Sequence, residues 1–385
     1  MSSISLGDIC KVTAGQSAPQ DPSVFGKEGK PFIRAGSLEK LINGGAEEDC
    51  ELIPADNAVR LRLRLFPQNT ILFAKSGMSA KIGRVHRLRT PSYVVSHLAA
   101  VIPGKKVDPS YLQRWFEKNP PSRLIPNEAY PSIRTSEISL LKISLPPLPE
   151  QKRIAAILDK ADAIRCKRQQ ATKLADEFLR ATFLEMFGDP VTNPKGWGVK
   201  IFGEIGTLDR GVSKHRPRNA PELLGGPYPL IQTGEVANSG GYIRNYKNTY
   251  SKIGLKQSKI WPKGTLCITI AANIAKTGIL TFDACFPDSV VGFTPNLLST
   301  TEYVQFWLSF LQKILEEKAP ESAQKNINLN ILRNLDAPLP PIDLQKKFSF
   351  QVGKVETLKE KQRVNNHCSS NLFNSLTQRA FRGEL

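Results

Sequence analysis

The chain is poor in the residue patterns that mark metal, redox and nucleotide chemistry. Its six cysteines and four histidines are scattered, and neither Cys-x-x-Cys nor His-Glu-x-x-His occurs. The sequence therefore predicts reduced, mostly buried thiols and no metal site. A Gly-x-x-x-x-Gly-Lys-Ser/Thr segment is also missing, which excludes the phosphate-binding loop of the common ATPases and GTPases.

Long hydrophobic runs are absent as well. No apolar stretch approaches the ~20 residues that a membrane span needs. The first residues, Met1-Ser2-Ser3-Ile4, lack the charged and then apolar pattern of a secretory signal. We therefore expect a cytoplasmic protein without a membrane partner.

Acidic residues are outnumbered by basic ones. The 385-residue chain holds 53 Lys and Arg against 35 Asp and Glu, a formal net charge of +18. Residues 150–187 contribute eight basic and six acidic residues, so most of the excess falls in the other segments. Such a charge attracts polyanions, and double-stranded DNA is the obvious candidate.

The sequence contains an internal repeat, in which segments of the first half return in the second half at an offset of 194 to 198 residues. The proline-rich segment ISLPPLPEQK at 143–152 returns as APLPPIDLQK at 337–346. A repeat of this length lies far beyond the ~20–50 residues of solenoid units, so each copy is predicted to be a domain-sized fold. Further matches follow in the same order: 31–36 with 229–234, 70–83 with 265–278, and Ile133, Ile138 and Leu141 with Ile327, Leu332 and Leu335.

The pattern predicts two kinds of segment. Residues 1–146 and 189–339 alternate short apolar runs with Gly and Pro, which indicates two similar globular domains of mixed α/β (α+β) class. Strands are expected at 70–74, 92–101, 265–270 and 290–293, and helices at 109–118 and 302–318. Residues 147–188 and 340–385 are predicted to form two long spacer helices.

The first spacer helix has no Gly or Pro between Pro149 and Gly188. At ~1.5 Å per residue it would be close to 55 Å long. A second helix is expected from about 342 to 381, and the two most simply pair as an antiparallel coiled coil that also docks other subunits. The candidate packing residues are Ile154, Leu158, Ala161, Leu174 and Phe178 on the first helix, and Phe348, Val352, Val355, Leu372 and Leu376 on the second.

Basic clusters give the first candidate DNA contacts. Residues 60–65 alternate Arg and Leu, which predicts a strand with one Arg face; that face either meets DNA or is a solvated edge. Further cations follow the repeated strands or lie in a loop-like stretch. The basic candidates are Arg60, Arg62, Arg64, Lys75, Lys81, Arg84, Arg210, Lys214, Arg216 and Lys276.

One motif suggests catalysis. Asn119-Pro120-Pro121 resembles the catalytic loop of amino-group DNA methyltransferases, where the carboxamide holds the target amine beside an aromatic ring. Here Ser122 replaces that ring, no Gly-rich cofactor turn precedes the segment, and the second half has no equivalent. A helix-terminating turn is the preferred interpretation. A self-contained adenine methyltransferase stays as the alternative, and a protein-interaction scaffold is a third possibility.

Taken together, these segments resemble the specificity subunit of type I restriction–modification systems over essentially the whole chain. The resemblance rests on the two proline segments that open long helices, on the entry to the second half, and on the last residues. These are 146–154 and 340–348, Phe187-Gly188-Asp189-Pro190 with Asn193-Pro194-Lys195-Gly196-Trp197, and Arg379-Ala380-Phe381-Arg382-Gly383-Glu384-Leu385.

The resemblance implies a DNA-reading subunit without catalytic residues of its own. Each domain would be a target-recognition domain for one half of a split, asymmetric DNA sequence, and the helices would fix the unread spacer. Two modification (methyltransferase) subunits would bind the helices, and restriction subunits would complete the nuclease. S-adenosylmethionine and ATP are expected only in those partners, so no cofactor is expected in this chain.

The resemblance also adds candidate DNA contacts. The loops at 75–81 and 270–276 look like the family's DNA-facing segments, and 36–37 and 233–235 occupy a second repeated position. The further candidates are Arg34, Ser37, Ser76, Ser79, Thr233, Asn273 and Thr277.

Overall fold

The computed structural model describes residues 3–215, 217–218, 220–271, 274–318 and 327–385, without the side chains of 317–318 and 364–368. The chain divides into two compact units. The first unit comprises Met1–Gln169 and Val364–Leu385, and the second comprises Gln170–Arg363. Each unit therefore holds one mixed domain together with one half of each long helix.

The first unit is built from short strands and helices, as the turn-rich sequence predicts. Its strands are β1 Ser3–Ser5, β2 Cys10–Ala14, β3 Lys30–Ile33, β4 Glu51–Ile53, β5 Ile71–Ala74, β6 Val85–Arg87, β7 Tyr93–Val94, β8 Leu98–Pro103 and β9 Lys142–Ser144. Its helices are α1 Leu6–Ile9, α2 Ser37–Ile42, α3 Ala55–Arg60, α4 Met78–Ile82, α5 Pro109–Lys118, α6 Thr135–Leu140 and the start of α7 Leu148–Phe187.

The second unit repeats this order. Its strands are β10 Val199–Ile201, β11 Gly206–Arg210, β12 Leu224–Leu230, β13 Gly241–Ile243, β14 Asn248–Tyr250, β15 Ile260–Trp261, β16 Leu266–Thr269, β17 Thr277–Leu280, β18 Ala284–Cys285, β19 Val290–Pro295 and β20 Asp336–Pro338. Its helices are α8 Thr233–Ala237, α9 Lys252–Lys256, α10 Thr301–Lys318, α11 Leu329–Arg333 and α12 Ile342–Arg382, which continues into the first unit.

The sheets of the two units match strand by strand. The main sheet of the first unit has the order β2-β8-β5-β6, and that of the second has β11-β19-β16-β17-β13, with β13 as an added parallel edge strand. The smaller sheets are β4-β3-β7 and β14-β12-β18-β15. β5 and β16 are central and buried along their whole length; β5 is entirely apolar, and β16 is apolar up to its last residue, Thr269.

Equivalent side chains make equivalent hydrogen bonds in the two units. Thr70 Oγ1 donates to the Pro67 carbonyl at 2.7 Å, and Thr265 Oγ1 donates to the Pro262 carbonyl at 2.7 Å. The repeat in sequence is therefore also a repeat in structure, down to the turn that precedes the central strand.

A buried glutamine anchors the start of each long helix. Gln151 Nε2 donates to the Pro146 carbonyl at 2.8 Å and the Lys106 carbonyl at 3.0 Å, while its Oε1 accepts from Asp108 N at 2.8 Å. Gln345 makes the same three kinds of contact, with the carbonyls of Pro340 and Leu298 and with Thr300 N. The glutamine that both proline segments share is thus a structural anchor in each unit.

The long helices pair in antiparallel fashion within each unit, as predicted. In the first unit Arg153 near the start of α7 donates to the Leu385 carbonyl at 2.8 Å, and Arg165 lies over the Phe373 ring at 4.8 Å. In the second unit the Phe183 and Phe348 rings are 5.5 Å apart. The start of one helix therefore lies against the end of the other in both units.

The predicted packing residues divide into two groups. Ile154 and Leu158 belong to the core of the first domain, Phe348 and Val352 to that of the second, and Ala161, Val355 and Leu376 are partly buried. The other three, Leu174, Phe178 and Leu372, are 54%, 56% and 57% exposed, and their assignment to helix or subunit packing stays a prediction. Polar pairs such as Lys359 with Asp176 at 2.8 Å interrupt the apolar packing between the helices.

One strand prediction is wrong, and another is confirmed only in part. The alternating Arg and Leu residues at 60–65 do not form a strand, because α3 ends at Arg60 and Arg62 has a left-handed backbone (φ 50°). The run at 92–101 is interrupted, and β7 and β8 are separated by residues 95–97. None of the helices in the described ranges is both long and apolar enough to cross a membrane.

Replacing Gln151 by Leu should leave buried backbone groups without partners. We expect Gln151→Leu and Gln345→Leu each to lower the free energy of unfolding by about 3 kcal/mol. Urea denaturation of the purified protein measures this, with Gln169→Leu at an exposed position of α7 as the matched control. Equal unfolding midpoints for Gln151→Leu and the control would contradict the anchoring role.

A buried carboxylate stabilises the first domain in a pH-dependent way. Burial by itself would raise the pKa of Glu47, but hydrogen bonds from His86, Arg89 N and Thr90 lower it below its ordinary value of 4.5. A carboxylate with a lowered pKa stabilises the folded state above its unfolded pKa, and that contribution is lost as the pH falls through the folded pKa.

We therefore expect Glu47→Gln to destabilise the protein by about 1–3 kcal/mol at neutral pH and to flatten the loss of stability between about pH 6 and pH 3. Thermal unfolding across this range checks it. The neighbouring exposed Glu48→Gln is the control and should keep the pH dependence of the unsubstituted protein.

Candidate nucleic-acid interface

In the first unit, half of the predicted contacts converge on residues 95–97, called here the first hub loop. The loop joins β7 to β8, and His97 at its end is exposed. Lys75 N donates to the His97 carbonyl at 2.9 Å, and the Ser76 hydroxyl lies 2.8 Å from His97 Nδ1. The loop after β5 is thereby fixed beside the hub loop.

Two further segments reach the first hub loop through backbone hydrogen bonds. Val95 N donates to the Ile33 carbonyl at 3.0 Å, which places the following Arg34 next to the loop. Ser96 N donates to the Gln16 carbonyl at 2.7 Å. The end of β2, the end of β3 and the end of β5 therefore meet at one place.

Gln16 also holds residues 62–64, called here the arginine turn. Its Nε2 donates to the Arg62 carbonyl at 3.1 Å, and its Oε1 accepts from Arg64 N. Arg62 and Arg64 are exposed, and the Arg64 guanidinium lies 4.3 Å from the centroid of the Phe66 ring. Arg62 and Arg64 therefore lie in a turn beside the first hub loop and not in the strand that the sequence predicts.

Other first-unit candidates have carboxylate partners. Arg34 pairs with Glu51, Arg84 with Glu39 at 3.1 Å, and Lys81 with Glu128 at 3.8 Å. The remaining candidates are polar or lie at helix ends: Ser37 is the first residue of α2, Ser79 is half-buried in α4, and Arg60 is exposed at the end of α3.

The second unit has an equivalent second hub loop, residues 287–289 between β18 and β19. Ile270 N donates to the Ser289 carbonyl at 3.1 Å, just as Lys75 N donates to His97. Ile231 N donates to the Cys285 carbonyl at 2.8 Å, two residues before the loop. The ends of β12 and β16 therefore meet at the second hub loop.

The basic candidates of the second unit lie at the end of β11. Arg210 is the last residue of that strand and is exposed. Lys214, also exposed, is tied by its backbone N to the Gln257 carbonyl at 3.4 Å. Arg216 and Asn273 lie outside the described residues.

The remaining second-unit candidates are less accessible. Thr233 is the half-buried first residue of α8, and Thr277 is the half-buried first residue of β17. Lys276 donates from Nζ to Gln312 Oε1 at 3.3 Å, in a cavity of about 230 Å³ against the long helices. The structure therefore places Lys276 toward the helices rather than at the second hub loop.

Sequence reasoning missed three residues at these loops. Gln16 and Gln257 position basic segments, since Gln257 Oε1 accepts from His215 N at 2.9 Å. Lys259 lies with its Nζ 4.0 Å from the Trp261 ring centroid. A signal for Lys259 was present, because Arg64-Leu65-Phe66-Pro67 returns 195 residues later as Lys259-Ile260-Trp261-Pro262.

The side chain of Asn119 is hydrogen-bonded to the helix that Asn119 terminates. It is the C-terminal cap of α5, and its Nδ2 donates to the Trp115 carbonyl at 3.1 Å. Pro121 is buried and opens a short 3-10 turn. This is the helix-terminating turn predicted from the sequence, and the geometry gives no support to the methyltransferase alternative.

Basic side chains, hydroxyls and carboxamides from neighbouring segments lie around both hub loops, and Asp288 of the second loop pairs with Arg218. Cations, hydroxyls and carboxamides contact phosphate oxygens and base edges in protein–DNA complexes. In the part of the chain that the structure describes, no three His, Cys, Asp or Glu residues are grouped so that they could hold a metal ion. The arrangement is suited to binding a polyanion.

Comparison with known proteins agrees with this chemistry. The family model described as "Type I restriction modification DNA specificity domain" matches the chain twice, over residues 1–175 and 194–363. The crystal structure of the S subunit of a type I restriction–modification system from M. genitalium has the same fold, with a TM-score of 0.64 at 13% identity over 99% of this chain and 96% of that one.

Curated relatives are similar as well. The EcoBI specificity subunit of Escherichia coli is 26% identical over 289 residues, which cover 66% of this chain and 60% of that subunit. The chain thus spans less than two thirds of that relative. A putative MjaX specificity subunit of Methanocaldococcus jannaschii is 23% identical over 93% of this chain and 88% of its own length. Since the family model covers most of the sequence in two copies, the chain belongs to the type I restriction–modification DNA specificity family.

Proposed function

We propose that the chain is the DNA-reading subunit of a type I restriction–modification complex and recognises a split, asymmetric sequence. The observation that carries the proposal is the duplicated hub loop. Each unit gathers the ends of equivalent strands at one loop and surrounds it with exposed basic side chains. Two such sites on one chain suit two half-sites on one duplex.

The asymmetry of the target follows from differences between the loops. The first hub loop reads Val-Ser-His and the second Pro-Asp-Ser, and the adjoining basic segments come from different places in the repeat. Different side chains on the same backbone frame read different bases. Residues 1–146 and 189–339 are accordingly assigned as the two target-recognition domains, and 147–188 and 340–385 as the spacer helices.

The helices also offer a surface for other subunits. Leu174, Phe178 and Leu372 are large apolar side chains exposed on α7 and α12. Exposed apolar groups on a helix favour association with a partner. We assign these side chains, Leu174 and Phe178 in the second unit and Leu372 in the first, to contacts with two modification subunits. Those subunits supply S-adenosylmethionine and methylate adenine, while ATP-driven restriction subunits complete the nuclease. The chain itself is proposed to contribute recognition without catalysis.

Methylation mapping tests the function directly. We would co-express the chain with its modification subunit in a host without other methyltransferases and map methylated adenines across the genome by single-molecule sequencing. The proposal expects one split motif with methylation in both halves. A complex that forms but methylates a continuous motif would refute the two-half reading, and methylation by this chain alone would restore the enzyme alternative.

The spacer role predicts the effect of lengthening both helices together. Seven residues inserted after Gln169 in α7 and after Arg363 in α12 add two helical turns, or about 10.5 Å. At about 3.4 Å per base pair, the unread spacer should grow by about three base pairs while both half-sites stay the same.

The methylated motif of the lengthened variant provides the measurement. Lys167→Ala with Lys173→Ala changes exposed residues in the same region at constant length and serves as the control. A changed half-site at an unchanged spacer would mean that the helices do not set the spacing.

A further inference from the structure

Each unit carries an exposed cation on a buried aromatic ring at the same place in the repeat. The Arg64 guanidinium lies 4.3 Å from the centroid of Phe66, and Lys259 Nζ lies 4.0 Å from that of Trp261. Both rings are buried and both cations are exposed. A cation over a ring face is attracted by the ring quadrupole, which restricts its orientation without neutralising it.

The two pairs occupy equivalent positions. Phe66 N donates to the Ser92 carbonyl at 2.9 Å, directly before β7, and Trp261 pairs with Ala284 in β18. The turns that follow also match, since Asn69 and Gly264 both have a positive φ, of 72° and 88°. Both rings therefore lie under the strand that leads into the hub loop of their own unit.

The second ring is larger, and its surroundings make room for it. Trp261 stacks on Phe286 with the centroids 4.8 Å apart, and a Cβ on Gly292 would come within 2.6 Å of the Trp261 ring. In the first unit the corresponding position of β8 is Ala100, in the same core cluster as the smaller Phe66. The same site is filled in both units by compensating side chains.

Arg64 and Lys259 differ from neighbouring basic residues because they are not paired with carboxylates. Arg34, Arg84 and Arg218 each pair with a carboxylate. Arg64 instead donates to Thr13 Oγ1 at 2.9 Å and to the Ala14 carbonyl at 2.8 Å. Within the described ranges, neither Arg64 nor Lys259 forms an ion pair, so no carboxylate competes with a DNA phosphate for either side chain.

We propose that Arg64 and Lys259 are matched contacts to the DNA backbone, one phosphate contact for each half of the target. This inference rests on the proposed function and names the part of it that does not depend on base sequence. A phosphate accepts either an arginine or a lysine as a positive charge, whereas bidentate reading of a base does not tolerate their exchange. Arg64 in one half and Lys259 in the other can therefore fill the same phosphate-binding role.

The test uses the complex of the full chain with its modification subunits. Fluorescence anisotropy gives the Kd for a labelled duplex that carries the methylated motif, over a series of salt concentrations. Each of Arg64→Gln and Lys259→Gln should reduce the salt slope by about 0.9 and weaken binding about eightfold at 0.1 M salt. Because the residues lie in different units, the double variant should lose about sixtyfold.

Two exposed lysines provide matched controls. Lys11 lies toward the opposite end of β2 from the hub loop, and Lys263 lies in the turn after Trp261. Lys11→Gln and Lys263→Gln remove the same charge and should leave the slope unchanged. Equal losses for controls and test variants would overturn the proposal, because the effect would then come from net charge alone.

A third variant tests the equivalence of the two sites. Lys259→Arg, Trp261→Phe and Gly292→Ala together copy the first site into the second unit, and this variant should bind with the affinity of the unsubstituted chain. If the triple change does not fold, Lys259→Arg alone should keep the affinity. A fall in affinity at an unchanged Tm would refute a simple phosphate contact.

The inference and the function fail in different ways. Unchanged Kd and slope in Arg64→Gln and Lys259→Gln, with steep salt dependence in the unsubstituted complex, would refute these two contacts and leave DNA recognition standing. A complex that binds no duplex at any salt concentration would refute the proposed function itself.

Discussion

The long helices are held to the globular domains by a buried glutamine carboxamide at the start of each helix. Gln151 and Gln345 use both ends of the amide to bind backbone groups that come from the domain and from the proline segment. Immediately after each glutamine, the helix enters the domain core through Ile154 and Phe348. The direction in which each helix leaves its domain is therefore fixed by buried contacts, and the placement of both hub loops relative to their helices depends on it.

The two units share this frame but fill it with different chemistry. Arg114 of α5 forms ion pairs with Asp159 at 2.8 Å and Asp162 at 2.9 Å on α7. In α10 the corresponding residue is Phe306, which packs on Phe348 with the ring centroids 5.0 Å apart. An ionic contact and an apolar contact at equivalent positions can stabilise a fold to a similar extent. A charged side chain of one unit would nevertheless lose its partner if it were placed against the apolar residues of the other. Each domain is thereby matched to its own helix end.

The parts of the fold that depend on local sequence could be predicted closely. The absence of Gly and Pro between Pro149 and Gly188 predicts α7 to within two residues, and Pro109 with Lys118 bounds α5 as expected. The arginine turn could not be predicted, because alternation at 60–65 gives no sign that Arg62 would adopt a left-handed backbone. Local patterns do not contain the long-range hydrogen bonds from Gln16 that form it.

The candidate site could be predicted only in part, again because long-range contacts leave no local sequence pattern. Lys75 and Ser76 follow a repeated strand and do lie at the first hub loop. The first hub loop itself lies inside what reads as one apolar strand at 92–101, and only the pairing of β3 with β7 and of β5 with β8 separates the two strands. The exposure of Leu174, Phe178 and Leu372 likewise depends on which stretch of each helix packs on a domain. Apolar periodicity does not reveal this, because stretches that pack on a domain and stretches that do not have the same pattern.

The central claim is that each hub loop reads its own half of a split target. The most direct test replaces residues 287–289 with the Val-Ser-His sequence of the first hub loop and maps the methylated motif of the resulting complex. We predict a change confined to one half of the motif, with the other half and the spacer length unaltered. A change in both halves, or in the spacer, would contradict the claim.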